Sequence, residues 1–306
     1  MGIIRGGNAE YENNTPSIEE KTEQVEETIR KALVNTSLNL SGKYFSADEA
    51  IILSRSQQVK AVTSLDLSDN RIGDAELKAL FESPLLQNLE ELHLGINCIT
   101  DASVSEFARS AFLKNLRILA LNDNRLSDVS ISEIVKSPSL GNLEVLILGW
   151  NQIGNGTAKA LGESQTLTKL KMLDLERNYI DDQGIVELLN GSVINTLEEL
   201  NLSSNKLGDA AIQSLASAQG LGSLRILRLT ANNFGDAGDK ALGESVALAG
   251  LTELHIGRNY FTREGAMALR NSKTLTNLKT LALVEGPEST AGRVNYSNPD
   301  LLRPQK

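Results

Sequence analysis

Residues 89–99 read LEELHLGINCI, in which three leucines, an asparagine and an isoleucine form the pattern L-x-x-L-x-L-x-x-N-x-I. Residues 170–180, LKMLDLERNYI, repeat this pattern. Its asparagine returns every 27 residues, at Asn70, Asn97, Asn124, Asn151, Asn178, Asn205, Asn232 and Asn259. A fixed period between about 20 and 50 residues is the signature of a solenoid, in which similar turns of chain stack on one another. The interval therefore predicts one elongated repeat domain.

On this motif and spacing, residues 36–286 resemble leucine-rich-repeat proteins. Segments that follow the asparagine, such as LGDA at 207–210 and FGDAG at 234–238, are most similar to the ribonuclease-inhibitor-like subclass. The resemblance implies an α/β solenoid shaped as a curved horseshoe, with a parallel β-sheet on the concave face and short helices on the convex face. It implies about ten turns of the repeat. Protein binding is the chief task of this family, so the resemblance also implies a binding role.

Each turn is predicted to contain one strand and one helix. Residues 92–94 alternate apolar and polar side chains, as a half-buried strand does. Asp101 is the predicted N-cap of the helix that follows. Strands lie about 4.8 Å apart, whereas packed helices lie about 8 to 10 Å apart, so we expect the stack to curve with its sheet on the inside.

The ends of the chain depart from the repeat. Residues 1–14 are polar and predict a flexible tail. A capping helix is predicted over residues 15–35, and a polar C-terminal tail over residues 287–306. The helix could begin with Thr15 as its cap, or with Ser17 as a cap that pairs with Glu20 in a capping box. The side chains predicted to cover the open end of the solenoid are Ile18, Val25, Ile29, Ala32 and Leu33.

Composition limits the possible functions. The formal net charge is −9 and the isoelectric point is near 5.0, which argues against a nucleic-acid partner because nucleic-acid binding relies on clustered Lys and Arg. Cys98 is the only cysteine, so no internal disulfide can form and a reducing compartment is expected. The sequence shows neither a secretory signal nor a membrane span. We therefore predict a cytoplasmic monomer without membrane contact, or one in the host cytoplasm if the protein is a secreted effector.

The sequence offers little for catalysis or metal binding. His93 and His255 are separated by 162 residues, which is six turns of 27 and roughly 29 Å at strand spacing, too far to share one metal ion. No base is placed beside Cys98, which an activated thiol would need. Nucleotide-binding, metal-ligand and nucleophile motifs do not appear. We therefore predict a protein that is not an enzyme and that uses no metal and no cofactor.

The strongest candidate site is a group of side chains that alternate with the core leucines and so face solvent. Several are apolar and lie on adjacent turns with a charged rim, a combination that marks interaction sites. Trp150 is the only tryptophan, and Trp and Arg are frequent anchors of interfaces. Gly149 beside it is interpreted as leaving room for a partner's backbone. The predicted partner-binding residues are Ile118, Val145, Ile147, Trp150, Met172, Asp174, Glu176, Arg177, Glu199 and Arg228.

These observations predict a non-enzymatic scaffold that binds a protein partner on its concave face. Four alternatives remain at this point, one of which is an enzyme that uses Cys98. The apolar side chains could reflect only the preference of sheets for β-branched residues. The chain could regulate a small GTPase, as Ran-activating members of the subclass do, through loop residues such as Arg71, Arg125 or Lys206. It could also be a translocated bacterial effector or an innate sensor that acts by binding.

Overall fold

The computed structural model describes residues 16–283, except for the side chains of Ser105 and Glu106. The predicted tails at 1–14 and 287–306 lie outside this range, as do Thr15 and the last three residues of the predicted repeat region. The strands are β1 (Leu33–Val34), β2 (Ser37–Asn39), β3 (Ser64–Asp66), β4 (Glu91–His93), β5 (Ile118–Ala120), β6 (Val145–Ile147), β7 (Met172–Asp174), β8 (Glu199–Asn201), β9 (Ile226–Arg228), β10 (Glu253–His255) and β11 (Thr280–Ala282). The helices are α1 (Ile18–Ala32), α2 (Ala47–Arg55), α3 (Asp74–Phe81), α4 (Asp101–Arg109), α5 (Asp128–Ile134), α6 (Asn155–Glu163), α7 (Asp182–Leu189), α8 (Asp209–Ser217), α9 (Asp236–Glu244) and α10 (Arg263–Arg270).

The strands form a single sheet of eleven in chain order. From β2 to β11 every pair is parallel and matches residues 27 apart, as where Leu65 lies beside Leu92. A slip of one residue would turn the buried strand leucines toward solvent, so burial fixes this register. The predicted solenoid is therefore confirmed. The exception is β1, which pairs antiparallel with β2 and forms a hairpin that the repeat pattern did not predict.

One continuous core runs through the stack between the sheet and the helices. The middle residue of each repeat strand is buried, as Leu119, Leu146 and Leu173 illustrate, while the residues on either side are partly exposed in most strands. Each helix packs on the helices before and after it. Because adjacent strands are closer than adjacent helices, the sheet is the shorter, concave wall.

The repeated asparagine holds the turn after each strand. The Asn151 amide nitrogen donates to the carbonyl oxygens of Leu121, Leu148 and Gly149 at 3.0 to 3.2 Å, and its oxygen accepts from the Leu126 backbone N–H at 3.0 Å. Equivalent bonds form at six of the other seven positions, and at Asn259 the amide nitrogen bonds alike while the oxygen accepts from the Asn232 N–H. These bonds confirm that the asparagine joins one turn to the turn before it and is a structural residue.

A second ladder joins the helix starts, and it corrects the predicted cap at Asp101. Thr100 is the N-cap, because its backbone is extended and its hydroxyl accepts from the Ala102 N–H. Asp101 is the first helical residue, and its carboxylate accepts from the N–H and the hydroxyl of Ser127 in the next turn. Aspartates at the starts of α3, α5, α8 and α9 make the same kind of bond to the following turn.

Helix α1 covers the N-terminal end of the solenoid. Ser17 caps it and forms the capping box with Glu20. Val25 and Ile29 are buried, but Ile18 is 61% exposed, so the prediction that Ile18 faces the core is wrong. The cause is position: near the start of the helix the contact with α2 is already polar, an ion pair between Lys21 and Asp48, and Ile18 lies before it.

Candidate docking face

The predicted partner-binding residues lie on the solvent side of the sheet and at the turns that follow its strands. We call these ten residues the docking face: Ile118, Val145, Ile147, Trp150, Met172, Asp174, Glu176, Arg177, Glu199 and Arg228. The alternation of each strand sends the middle leucine into the core and leaves its neighbours on this wall. None of the ten is buried in the hydrophobic core.

The apolar part of the docking face spans three neighbouring strands. Ile118 pairs with Val145, and Val145 pairs with Met172, so these side chains form a row across β5, β6 and β7. Ile147 lies in the next row, between Ala120 and Asp174. All four named apolar side chains of the rows are partly exposed. The structure thus brings them together into one contiguous apolar surface.

Trp150 lies at the turn after β6, at the edge of this surface. Its side chain is 44% exposed, and the Arg177 guanidinium carbon lies 3.8 Å above the centre of its ring. The backbone of Trp150 is left-handed with φ of 59°, and its N–H donates to the Glu176 carbonyl oxygen at 2.7 Å. A left-handed conformation costs about 1–2 kcal/mol in an L-residue. The bonds of the stacked turns therefore hold a bulky aromatic residue in a costly conformation.

A polar network borders the apolar surface on the side of β8. One Asp174 oxygen accepts from the Glu176 N–H at 2.8 Å, and the other accepts from the Asn201 amide at 3.1 Å. The same amide lies 3.3 Å from a Glu176 carboxylate oxygen. Burial raises the pKa of Asp174 in spite of these hydrogen bonds. Asn201 is buried and central to this network, and its place in the strand was the only feature of the sequence that pointed to it.

The far side of the docking face is an ion pair between Glu199 on β8 and Arg228 on β9. Both side chains are mostly shielded, at 21% and 30% exposure. Arg228 is therefore neutralised within the chain. Arg177 differs, because its cation meets an aromatic ring and, within residues 16–283, no carboxylate forms an ion pair with it.

Comparison with protein families gives a match at four segments. The model described as Leucine Rich repeat matches residues 62–81, 86–108, 142–162 and 193–216. Each of these four segments is thus similar to a leucine-rich repeat. Among solved structures, a similar chain is titled "Crystal structure of a TDR receptor", with 18% identity and a TM-score of 0.45. The match covers 83% of this chain and 43% of that one, so this chain spans less than half of its length. Among curated proteins, none matches.

Within the leucine-rich repeats, Gly149 has a different role from the one predicted. A Cβ at this position would lie 3.3 Å from both the Asp174 carboxylate and the Glu176 carbonyl oxygen. Gly149 is buried, and the next repeat occupies the space in front of it. The interpretation that it leaves room for a partner's backbone is wrong, because the neighbouring turn already fills that room.

The other candidate residues stay apart in the repeats. His93 and His255 lie on β4 and β10, and His255 Nε2 is 3.4 Å from a Glu253 carboxylate oxygen. Cys98 is exposed on a loop. In residues 16–283, no three His, Cys, Asp or Glu side chains are arranged to hold a metal ion. Over the same range, no helix has the length and apolar character that crossing a membrane requires.

Proposed function

We propose that this leucine-rich-repeat solenoid is a non-enzymatic scaffold that binds a protein partner on the docking face of its concave wall. The observation that carries the proposal is the stack of Arg177 on the half-exposed Trp150 beside a row of apolar side chains. Burying such a surface gains roughly 25 cal/mol for each Å² of apolar area. Tryptophan and arginine are among the residue types most often found to dominate binding.

The rigidity of the wall supports this role. Every side chain of the docking face is mounted on a strand or on a turn tied to the next repeat by backbone hydrogen bonds. A preformed surface avoids part of the ordering cost that association otherwise imposes. A translocated effector or innate sensor that acts by binding would use the same face.

The charge of the wall favours a partner with cationic groups. On the side toward the N-terminal turns the wall carries Asp66, Glu91 and Asp123, and none of them forms an ion pair within residues 16–283. Complementary charge speeds encounter and suppresses wrong partners more than it adds affinity. We therefore expect binding to weaken as the salt concentration rises.

The test is capture by three immobilised proteins: the wild type, a Trp150→Ala/Ile147→Thr variant and an Arg258→Ala/His255→Thr control. Arg258 and His255 lie four turns after Trp150 and Ile147 on the same wall, outside the docking face, and Arg258 shares the left-handed conformation of Trp150. A captured protein is then purified and its Kd measured with each bait. Loss of a hot spot of about 2 kcal/mol weakens binding roughly 30-fold. We expect that loss for the first variant only, with its melting temperature unchanged.

A fourth immobilised protein tests the alternative that the chain regulates a small GTPase through its loop edge, which one observation favours. On the loop edge Lys206 lies 4.9 Å above the ring of Tyr179, which is 54% exposed, so a second aromatic and cationic stack is present there. An Arg125→Ala/Lys206→Ala variant changes this edge and leaves the docking face intact. Capture that persists in the folded Trp150→Ala/Ile147→Thr variant but fails in the loop-edge variant would reject the docking face.

A further inference from the structure

Helix α9 carries a carboxyl group at a position that is apolar in the turns before it. The third residue after each helix start is buried against the core, and in α3 to α8 it is Leu77, Val104, Ile131, Ala158, Ile185 and Ile212. The matching residue of α9 is Asp239, whose exposure is 0%. A side chain that is normally solvated therefore occupies a core position between α8 and α10.

In the part of the chain that the structure describes, no hydrogen bond compensates for the burial of the Asp239 carboxyl group. Neither of its carboxylate oxygens has a hydrogen-bond partner there. An ionised carboxylate that is buried without a partner is so costly that the group takes up a proton instead. The geometry thus favours the neutral acid at this position.

The groups that face Asp239 strengthen this preference. On α8, the Asp209 carboxylate accepts from the N–H groups of Gly235 and Gly238. On α9, the Asp236 carboxylate accepts from the N–H and hydroxyl of Thr262. The hydrogen bonds from Thr262 hold the pKa of Asp236 below its ordinary value. Burial first, and then the negative charges of Asp236 and Asp209, raise the pKa of Asp239 to about 8.

Helix α10 contributes no compensating cation. It meets Asp239 with Gly265, where an added Cβ would lie 2.7 Å from an Asp239 carboxylate oxygen. The charged residues of its first turn, Arg263 and Glu264, are exposed, and so is Lys240, the next residue on α9. The carboxyl group is thus enclosed by apolar core, a glycine and two carboxylates. In residues 16–283 no set of acidic side chains, these three included, is arranged to hold a metal ion.

We propose that the C-terminal end of the solenoid is a proton-controlled latch, in which a proton on Asp239 allows α9 to pack between α8 and α10 and its loss releases α9 and α10 from the stack. The proton leaves to solvent, and the carboxylate that remains faces Asp209 and Asp236 with no donor. Separation of α9 from its neighbours lets water reach that carboxylate. The latch lies among the helices, whereas the docking face lies on the strands and the turns after them, and the latch does not depend on the proposed function.

The direction of the pH effect follows from linkage. The pKa of Asp239 is raised in the folded state, from an ordinary value of 3.8 to about 8, so the folded protein holds a proton that the opened form releases. The stabilisation is complete below the ordinary value and is lost as the pH rises through the raised one. Between these two pKa values, the equilibrium constant for opening rises by up to about tenfold for each pH unit.

The test is amide hydrogen exchange measured by mass spectrometry from about pH 6 to pH 9, with rates converted to protection factors at each pH. Peptides from α9 and α10 should lose protection in the wild type by up to about tenfold per pH unit until about pH 8. Peptides from α4 and α5 serve as the internal control. In an Asp239→Asn variant, which cannot ionise, the α9 and α10 peptides should show no such loss. Equal pH profiles in the two proteins would overturn the proposal.

A direct titration keeps the proposal testable if the asparagine variant does not fold. Carbon-13 NMR of the wild-type protein labelled at aspartate carboxyl carbons should show one resonance that titrates near pH 8. An Asp239→Ile variant, which restores the residue type of α7 and α8, assigns that resonance by its disappearance. If every aspartate carboxyl titrates below about pH 5, Asp239 is ionised in the folded state and the latch does not exist.

Discussion

At the scale of single residues, the fold depends on side chains that satisfy backbone groups of the turn before. Asn151 bonds three carbonyl oxygens and one N–H, and all of these groups lie in the interior of the stack. A buried polar group without a partner costs about 1–3 kcal/mol. One amide therefore offsets a penalty that no apolar side chain of similar size could offset.

We predict that Asn151→Ala lowers the free energy of unfolding by at least about 3 kcal/mol, because several buried groups lose their partner together. Asn259→Ala is the matched control. The Asn259 amide makes the same three bonds to carbonyl oxygens, and its oxygen accepts from the Asn232 N–H. Asn259 is only half-buried, so water can replace its amide and the loss should be smaller. Urea denaturation followed by circular dichroism measures both changes. Equal losses in the free energy of unfolding would show that the contribution of the asparagine does not depend on its burial.

Residue roles could be predicted from the sequence where the period repeats them without variation. The asparagine ladder was such a case, since eight equal positions pointed to one structural cause. Asp101 was misassigned because Thr100 and Asp101 are both residue types that cap helices, and only the backbone conformation distinguishes them. Asp239 carried a readable signal, an acid in an apolar column, but its lack of a partner is a property of the packed structure.

At the scale of elements, the spacing between neighbouring helices varies along the stack. Gly162 ends the buried face of α6, and Gly191 follows α7, so that a Cβ at Gly191 would lie 1.9 Å from the Gly162 carbonyl oxygen. Serines occupy the place of Gly191 in several other turns, where Ser137 and Ser164 donate their hydroxyls to the preceding helix. The two glycines replace that bond by direct contact of the backbones.

Gly191→Ala should therefore destabilise the protein by about 1–3 kcal/mol or more, the range for a side chain forced into a filled space. The obstacle is backbone, which cannot swing aside as a flexible side chain can. Gly222→Ala is the control, because its added Cβ would meet nothing within 4 Å. Thermal unfolding of the two variants beside the wild type gives the comparison. A normal melting temperature for Gly191→Ala would mean that α6 and α7 separate without cost.

Element types followed from the sequence more readily than their ends did. The strand of each turn was predicted from alternation, and the helix from the apolar residues after it. The hairpin of β1 and β2 was missed because β1 has only two residues and carries no period of its own. Helix α1 was predicted, but the exposure of Ile18 depends on where the helix meets α2, which spacing along the chain does not encode.

At the scale of the whole molecule, each turn contacts mainly the turns before and after it. Stability in such a stack is approximately a sum of single-turn and neighbour terms, so an end can open while the rest stays folded. The period predicted this architecture, and with it the wall on which the docking face lies. The repeat period does not identify a partner, because it constrains the core positions of each repeat and leaves the solvent-facing positions free to vary.

This independence of the ends gives the last prediction, which uses Trp150 as a reporter of the central turns. Circular dichroism reports all turns together, whereas the fluorescence of the only tryptophan reports the neighbourhood of β6 and Arg177. Near pH 9, where Asp239 is ionised, the C-terminal turns should unfold first in urea. The dichroism transition should then begin at lower urea than the fluorescence transition, which is a departure from two-state behaviour.

Near pH 6 the proton on Asp239 restores the contact between α9 and its neighbours, and the two transitions should move together. The Asp239→Asn variant should give similar separations at both pH values, because its side chain does not titrate between them. Superimposable transitions in the wild type near pH 9 would show that the stack unfolds as one unit. In that case the free energy of contact between adjacent turns exceeds the cost of a buried carboxylate, and α9 could be released only if the whole solenoid opened.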